Sequence, residues 1–189
     1  MGENMNVLYI SNLTGNLFAG PNNSVPAQIK AQSQIDNVFW YNINNVKREE
    51  WKKINCYNLK DYPSGRLKDL PEPFNKPDIA VIEEFYCFPF CKIIEDINEN
   101  SIPYIIIPRS ELTKKAQIRK KVKKFIGNIC YFKKMANNAS AIQFLSKQEK
   151  ADSGDKWNKN DFIISNGISI PEEKMENFSK DKIRATYIG

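Results

Sequence analysis

The chain has 189 residues, 41% hydrophobic and 26% charged, with 28 Lys and Arg against 22 Asp and Glu and a net charge of +6. That balance, with 12% aromatic residues, is ordinary for a folded domain and excludes a disordered chain. No run approaches the ~20 apolar residues of a membrane span, and the absence of histidine removes Ser-His-Asp and Cys-His nucleophile systems and most zinc sites.

The opening "MGENMNVLYISN" lacks the basic start and long apolar stretch of a signal peptide. Its core, Val7–Ile10, predicts a first strand ending in the turn-like "SNLTGN". Val25–Gln34 reads as a helix, with Asn23 or Ser24 as its cap and Pro26 in its first turn. Asn37–Ile43 predicts a second strand. Residues 44–76 are rich in proline and read mostly as loop, with a short helix around Val46–Ile54. Asp78–Glu84 predicts a strand with Glu83 and Glu84 at its carboxyl end, followed by a helix in "FPFCKIIEDINEN". The apolar "YIII" (Tyr104–Ile107) predicts another strand, closed by Pro108, Arg109 and Ser110. "AIQFL" and "FIIS" predict two more strands, with Ser146 capping a short helix between them.

Cys87 and Cys91 are one helical turn apart, but no further ligand stands near, so two buried thiols are expected and no metal site. With Cys56 and Cys130 they form no disulfide-like framework, and reduced thiols in a cytoplasmic protein are the simplest reading.

Alternating strands and helices, with strands apolar on both faces, predict a Rossmann-like three-layer α/β/α fold with a mostly parallel sheet. Ligands of such sheets bind beyond the carboxyl ends of the strands. That rule selects Glu83, Glu84, Arg109, Ser110 and the "NG" of Asn166–Gly167. Glu83 and Glu84 are expected to point to opposite sides, because strand side chains alternate. Arg109 suits a phosphate or carboxylate; the rival reading is a salt bridge with Glu83 or Glu84. Gly20, Pro21 and Asn22 precede a helix whose amino end favours phosphate, although an ordinary turn would look the same. Asn166–Gly167 reads as a tight hinge turn with Gly167 at positive φ.

From Arg109 to Lys134 ten basic residues face one acid, Glu111, so the local charge is +9 while the rest of the chain is −3. Ile118, Val122, Phe125, Ile126, Ile129 and Phe132 recur at helical spacing. One helix from Glu111 to Ile126, about 24 Å long, is expected to turn this stripe inward. Its cations Lys114, Lys115, Arg119, Lys120, Lys121, Lys123 and Lys124 then face outward. Three roles stay open for them: a solvated face, an anionic membrane surface, or nucleic acid. Nucleic acid is the least supported, because aromatic residues do not interleave the basic side.

Several segments resemble, in order, the N-terminal half of a retaining glycosyltransferase of the GT-B fold, in the large family numbered four. They are "MNVLYISN…GPNNSVPAQIKA", "PDIAVIEEFYCFPFCKI", "IPYIIIPRSEL…K", "NNASAIQFLSKQEK" and "FIISNGISIPEE". Arg109 and Ser110 stand where that family carries histidine and glycine, and with Glu83 and Glu84 they are the residues expected to contact the acceptor. The resemblance implies two Rossmann-like domains, with residues 1–170 forming the acceptor-binding one. It implies a linker and the first strand of a nucleotide-sugar-binding domain in 171–189, so the chain is expected to continue and this piece alone to be inactive. It further implies a nucleotide-sugar donor, bound mainly by the second domain and reached by the Gly20–Asn22 loop. The acceptor is a glycan or lipid-linked glycan in polysaccharide or lipopolysaccharide assembly, placing the enzyme in the cytoplasm, peripheral at the inner face of the membrane. No cofactor is implied beyond the donor substrate. The alternative is a non-enzymatic basic α/β module binding an anionic polymer or nucleic acid; a nucleotide-sugar epimerase shares the two-domain plan.

Overall fold

The computed structural model describes residues 4–16, 18–46 and 48–167. It is an α/β fold built on one seven-stranded sheet, parallel throughout. The strands are β1 (Asn6–Ser11), β2 (Asn37–Asn42), β3 (Cys56–Asn58), β4 (Ile79–Glu83), β5 (Tyr104–Ile107), β6 (Ala141–Phe144) and β7 (Asp161–Ile163). Their order is β3-β2-β1-β4-β5-β6-β7. The chain winds outward from β1 to β3, then crosses back to β4 and winds the other way. The switch point therefore lies between β1 and β4, paired from Val7↔Ile79 to Ile10↔Ile82.

The Rossmann-like three-layer expectation is met. Alternation sends Leu8, Ile10, Ala80, Ile82 and Ile106 to one face, where they pack with Ile93, Ile94 and Ile97 of α3 (Cys91–Glu99). Val7, Tyr9, Trp40 and Val81 go to the other, against Val25 and Ile29 of α1 (Pro21–Gln32) and Trp51 of α2 (Glu49–Lys52). The central strands β1 and β4 are thus apolar on both sides because helices cover both, whereas the last strand, β7, stays partly exposed.

Three local expectations change. Helix α1 begins at Pro21, whose missing N–H costs nothing in a first turn. Asn23 and Ser24 are therefore inside the helix, not its caps, and Pro26 is interior. The expected loop after β2 holds β3, three residues paired to β2 from Trp40↔Cys56 to Asn42↔Asn58.

The third change concerns the basic segment, which is two helical pieces. Helix α4 (Lys114–Ile118) ends at Arg119 in extended backbone, and Lys120 is left-handed with φ 58°. Helix α5 (Lys121–Gly127) then runs through one wider turn, Asn128–Phe132, into α6 (Lys133–Asn138). Ser146 caps α7 (Lys147–Ser153) as expected, accepting from the Glu149 amide. Cys87 is buried, Cys91 partly buried and Cys130 exposed. No helix among the described residues is long and apolar enough to cross a membrane. The expected linker and strand in 171–189 lie outside the described residues.

Candidate functional site

The switch point is built from the loops after β1, β4 and β5. The first is held open by a buried asparagine. Asn42 Oδ1 accepts from Ser11 Oγ at 2.9 Å and from the Leu13 amide at 2.7 Å, while its Nδ2 donates to the Leu13 carbonyl at 3.1 Å. Trp40 Nε1 donates to Ser11 Oγ at 2.8 Å. Gly15 follows at φ +76°, where a Cβ would lie 2.7 Å from a methyl of Val46. The glycine this loop requires is thus Gly15, since the space beside Gly20 is empty. Asn22 is buried, and its Oδ1 accepts from the Gly15 amide at 2.9 Å. Of the Gly20–Asn22 group, then, Asn22 turns inward to close the loop, and Pro21 has no N–H to offer. Gly20 alone is exposed.

At the ends of β4 and β5 the structure brings Glu83 and Arg109 together. Arg109 Nε donates to Glu83 Oε2 at 2.7 Å, with the two side chains 4% and 0% exposed. Its Nη1 donates to Ser24 Oγ at 2.9 Å and to Asn166 Oδ1 at 3.4 Å, and Nη2 to Gln28 Oε1 at 3.3 Å. The salt-bridge reading of Arg109 therefore holds. Its guanidinium ties β4, β5, α1 and the segment after β7 into one corner. Burial pushes the Glu83 carboxyl upward, and the Arg109 charge opposes that. Among the described residues, Glu83 Oε1 accepts no hydrogen bond.

Glu84, Arg109 and Ser110 are all left-handed, with φ of 82°, 47° and 68°. Non-glycine residues there cost about 1–2 kcal/mol each, and such strain clusters at functional sites. Two further carboxylates hold these turns. Glu111 Oε2 accepts from the amides of Phe85 and, at 3.1 Å, Tyr86. Glu149 accepts from the Ser110 amide and, at 2.7 Å, from Leu145. Neither was marked by the strand-end rule, nor was Gln28. The "SKQE" capping spacing at 146–149 was the one signal that pointed to Glu149.

Glu84 differs from these three acids. Desolvation, then the charges of Glu111 and Glu83, push its carboxyl up to about 8, against the weaker pull of Arg109 and the Asn12 backbone amide. Asn12 follows β1, so Glu84 stands at the switch-point crevice as a carboxyl largely protonated at neutral pH. It can donate as well as accept a hydrogen bond.

Asn166 joins the corner through Arg109, but Gly167 is not left-handed. The expected positive φ is therefore not found at Gly167, and the rest of the expected hinge turn lies outside the described residues.

A groove of about 790 Å³ opens from Arg109 and Ser110 toward the basic segment, lined by Tyr86, Phe88, Ile118 and Lys123 among others. Here the inward stripe is corrected. Ile118 is 74% exposed, Val122 73%, Phe125 64%, Ile126 55% and Ile129 70%; Phe132 alone is buried. A second face packs instead, through Gly127, Phe132, Met135 and Ala136. Gly127 lets the Phe132 ring approach where a Cβ would meet it at 3.1 Å. Lys114, Lys115, Arg119, Lys120, Lys121 and Lys123 are exposed, but Lys124 is not among them. Its Nζ donates to the Ala116 carbonyl at 2.8 Å and lies 4.4 Å from the Tyr86 ring centre, clamping α4 to α5.

No family model matches the chain, and no curated protein matches it.

Proposed function

We propose that the chain is the acceptor-binding half of a glycosyltransferase that moves a sugar from a nucleotide-sugar to a glycan or lipid-linked acceptor in polysaccharide or lipopolysaccharide assembly. The observation that carries this reading is the Arg109–Ser110 turn. Ser110 has φ 68°, in the region that favours glycine, and glycine is what the resembled family carries at that position. The turn stands at the carboxyl edge of a parallel sheet, beside the switch point where such sheets bind ligands.

In this reading Glu84 meets acceptor hydroxyls, which a half-buried carboxyl near its midpoint suits as donor or acceptor. Ser110 is exposed and lines the groove, where its hydroxyl is open to an acceptor. Arg109 and Glu83 act as positioning residues. Catalysis by differential stabilisation of the sugar's leaving diphosphate belongs to the donor-binding half, so residues 1–170 alone transfer nothing. The acceptor is met in the cytoplasm at the inner face of the membrane.

The test is a nucleotide-sugar screen on the full-length polypeptide, scored by sugar transfer to membrane-extracted acceptors. Transfer from one donor, with Glu84→Ala raising the acceptor KM, is the expected result. Neither transfer nor donor hydrolysis with any nucleotide-sugar would overturn the reading.

A further inference from the structure

We infer that the outward face of α4 and α5 is a docking surface for an anionic phospholipid bilayer, whose interface it enters with apolar side chains. Val122, Phe125, Ile126 and Ile129 stand at i, i+3, i+4 and i+7, one continuous helix face, and all four are more than half exposed. Ile118 of α4, across the break at Arg119 and Lys120, is likewise 74% exposed. Single exposed apolar residues are ordinary, but a contiguous set of this kind marks an interaction site.

The charges around it select the occupant. Between Lys114 and Lys134 there are nine basic residues and no acid. Lys121 and Lys123 precede and follow Val122, about 100° around the helix axis in either direction. Both are exposed, so cations flank the apolar face on both sides. That is the layout of a helix lying in a membrane interface, with apolar groups entering the acyl boundary and lysines at the headgroups. A second copy of the chain would bring the same cationic border against itself across a two-fold axis. Nucleic acid would use the lysines but leave the apolar face in water.

The fold fixes this face outward. Phe132, Met135 and Ala136 hold the opposite face in the core, and Lys124 locks α4 onto α5. The groove adjoins the cationic border of the patch through Lys123. Ile118, Arg119, Lys120 and Lys123 line it at one end and Arg109 and Ser110 at the other. Docking therefore brings the Lys123 end of the groove toward the bilayer. What the bilayer delivers rests on the transferase reading, whereas docking itself does not.

The experiment is vesicle flotation of the full chain, with phosphatidylcholine vesicles carrying about a third phosphatidylglycerol, the composition that supplies the surface charge. Flotation with these vesicles, and much less with phosphatidylcholine alone, is expected. The double variant Phe125→Ser/Ile129→Ser should lose about tenfold or more in partitioning, since both apolar anchoring and charge are needed for interfacial binding. Lys121→Glu/Lys123→Glu should lose a similar factor. Circular dichroism of both variants should match the parent, as all four positions are exposed. Unchanged flotation of the apolar double variant would reduce the contact to surface adsorption and overturn the proposal. So would tighter binding to a single-stranded oligonucleotide than to the vesicles, or concentration-dependent dimerisation abolished by Phe125→Ser/Ile129→Ser. None of these readouts involves sugar chemistry. A protein that floats but transfers nothing refutes only the transferase reading, and one that transfers without floating refutes only this one.

Discussion

The carboxyl edge of the sheet and the basic segment both carry dense charge, and they use it in opposite ways. At the edge, three of four carboxylates are consumed by the fold: Glu83 by Arg109, Glu111 and Glu149 by backbone amides. In the segment, six of the seven cations from Lys114 to Lys124 point to water and apolar side chains stand beside them. A charge that is buried needs a partner, because desolvation costs several kcal/mol per ion. An exposed one needs no partner and is free to meet another molecule. The first region is therefore brittle and the second forgiving.

Substitutions can break or sharpen that contrast. The largest effect is expected from Arg109→Ala, which strands Glu83 in the core and should cost about 3–5 kcal/mol in urea unfolding. Replacing the pair together, as Glu83→Leu/Arg109→Met, should recover most of it, since no unpaired charge remains. Next comes Glu84→Gln. The Glu84 carboxyl is raised from 4.5 to about 8, so the fold favours its protonated form. Its favourable contribution is complete below 4.5 and is lost as pH rises through about 8. The variant should therefore exceed the parent in stability by roughly 2–4 kcal/mol at high pH. The gap should shrink as pH falls toward 5, and a pH-independent gap would contradict the assignment.

Lys124→Ala should cost about 1 kcal/mol, through the lost Tyr86 face and Ala116 carbonyl contacts. That would make it the one cation of its segment with a structural price. Smallest of all, Phe125→Ser and Ile129→Ser should each change thermal stability by no more than about 0.5 kcal/mol, as exposed positions do. A large loss there would mean that the stripe is covered after all.

The sequence made six of the seven strands legible, because apolar runs of four or five residues have no other common use in an α/β chain. It hid β3, whose "CYN" is too short and too polar to stand out. Glu83, Glu84, Arg109 and Ser110 followed from the rule that strand ends carry function. Glu111 did not, and Glu149 showed only as the last residue of a capping spacing, because the amides of Phe85, Tyr86 and Ser110 that they hold lie 25 to 39 residues away, and no local pattern encodes such reach. The basic segment shows a different limit. It carries two apolar faces, and periodicity announces a helix without saying which face is inside. The answer lies in Gly127 and the ring of Phe132, whose close approach decides which side the core takes.

Cys130, exposed next to Ile129, adds one consequence. The other three thiols are buried or partly buried, so a bulky maleimide should reach Cys130 first. The molecule thus carries its own attachment point for a fluorophore or spin label, at the edge of the face proposed to meet the bilayer. A label there would report polarity and depth at that surface without any engineered residue.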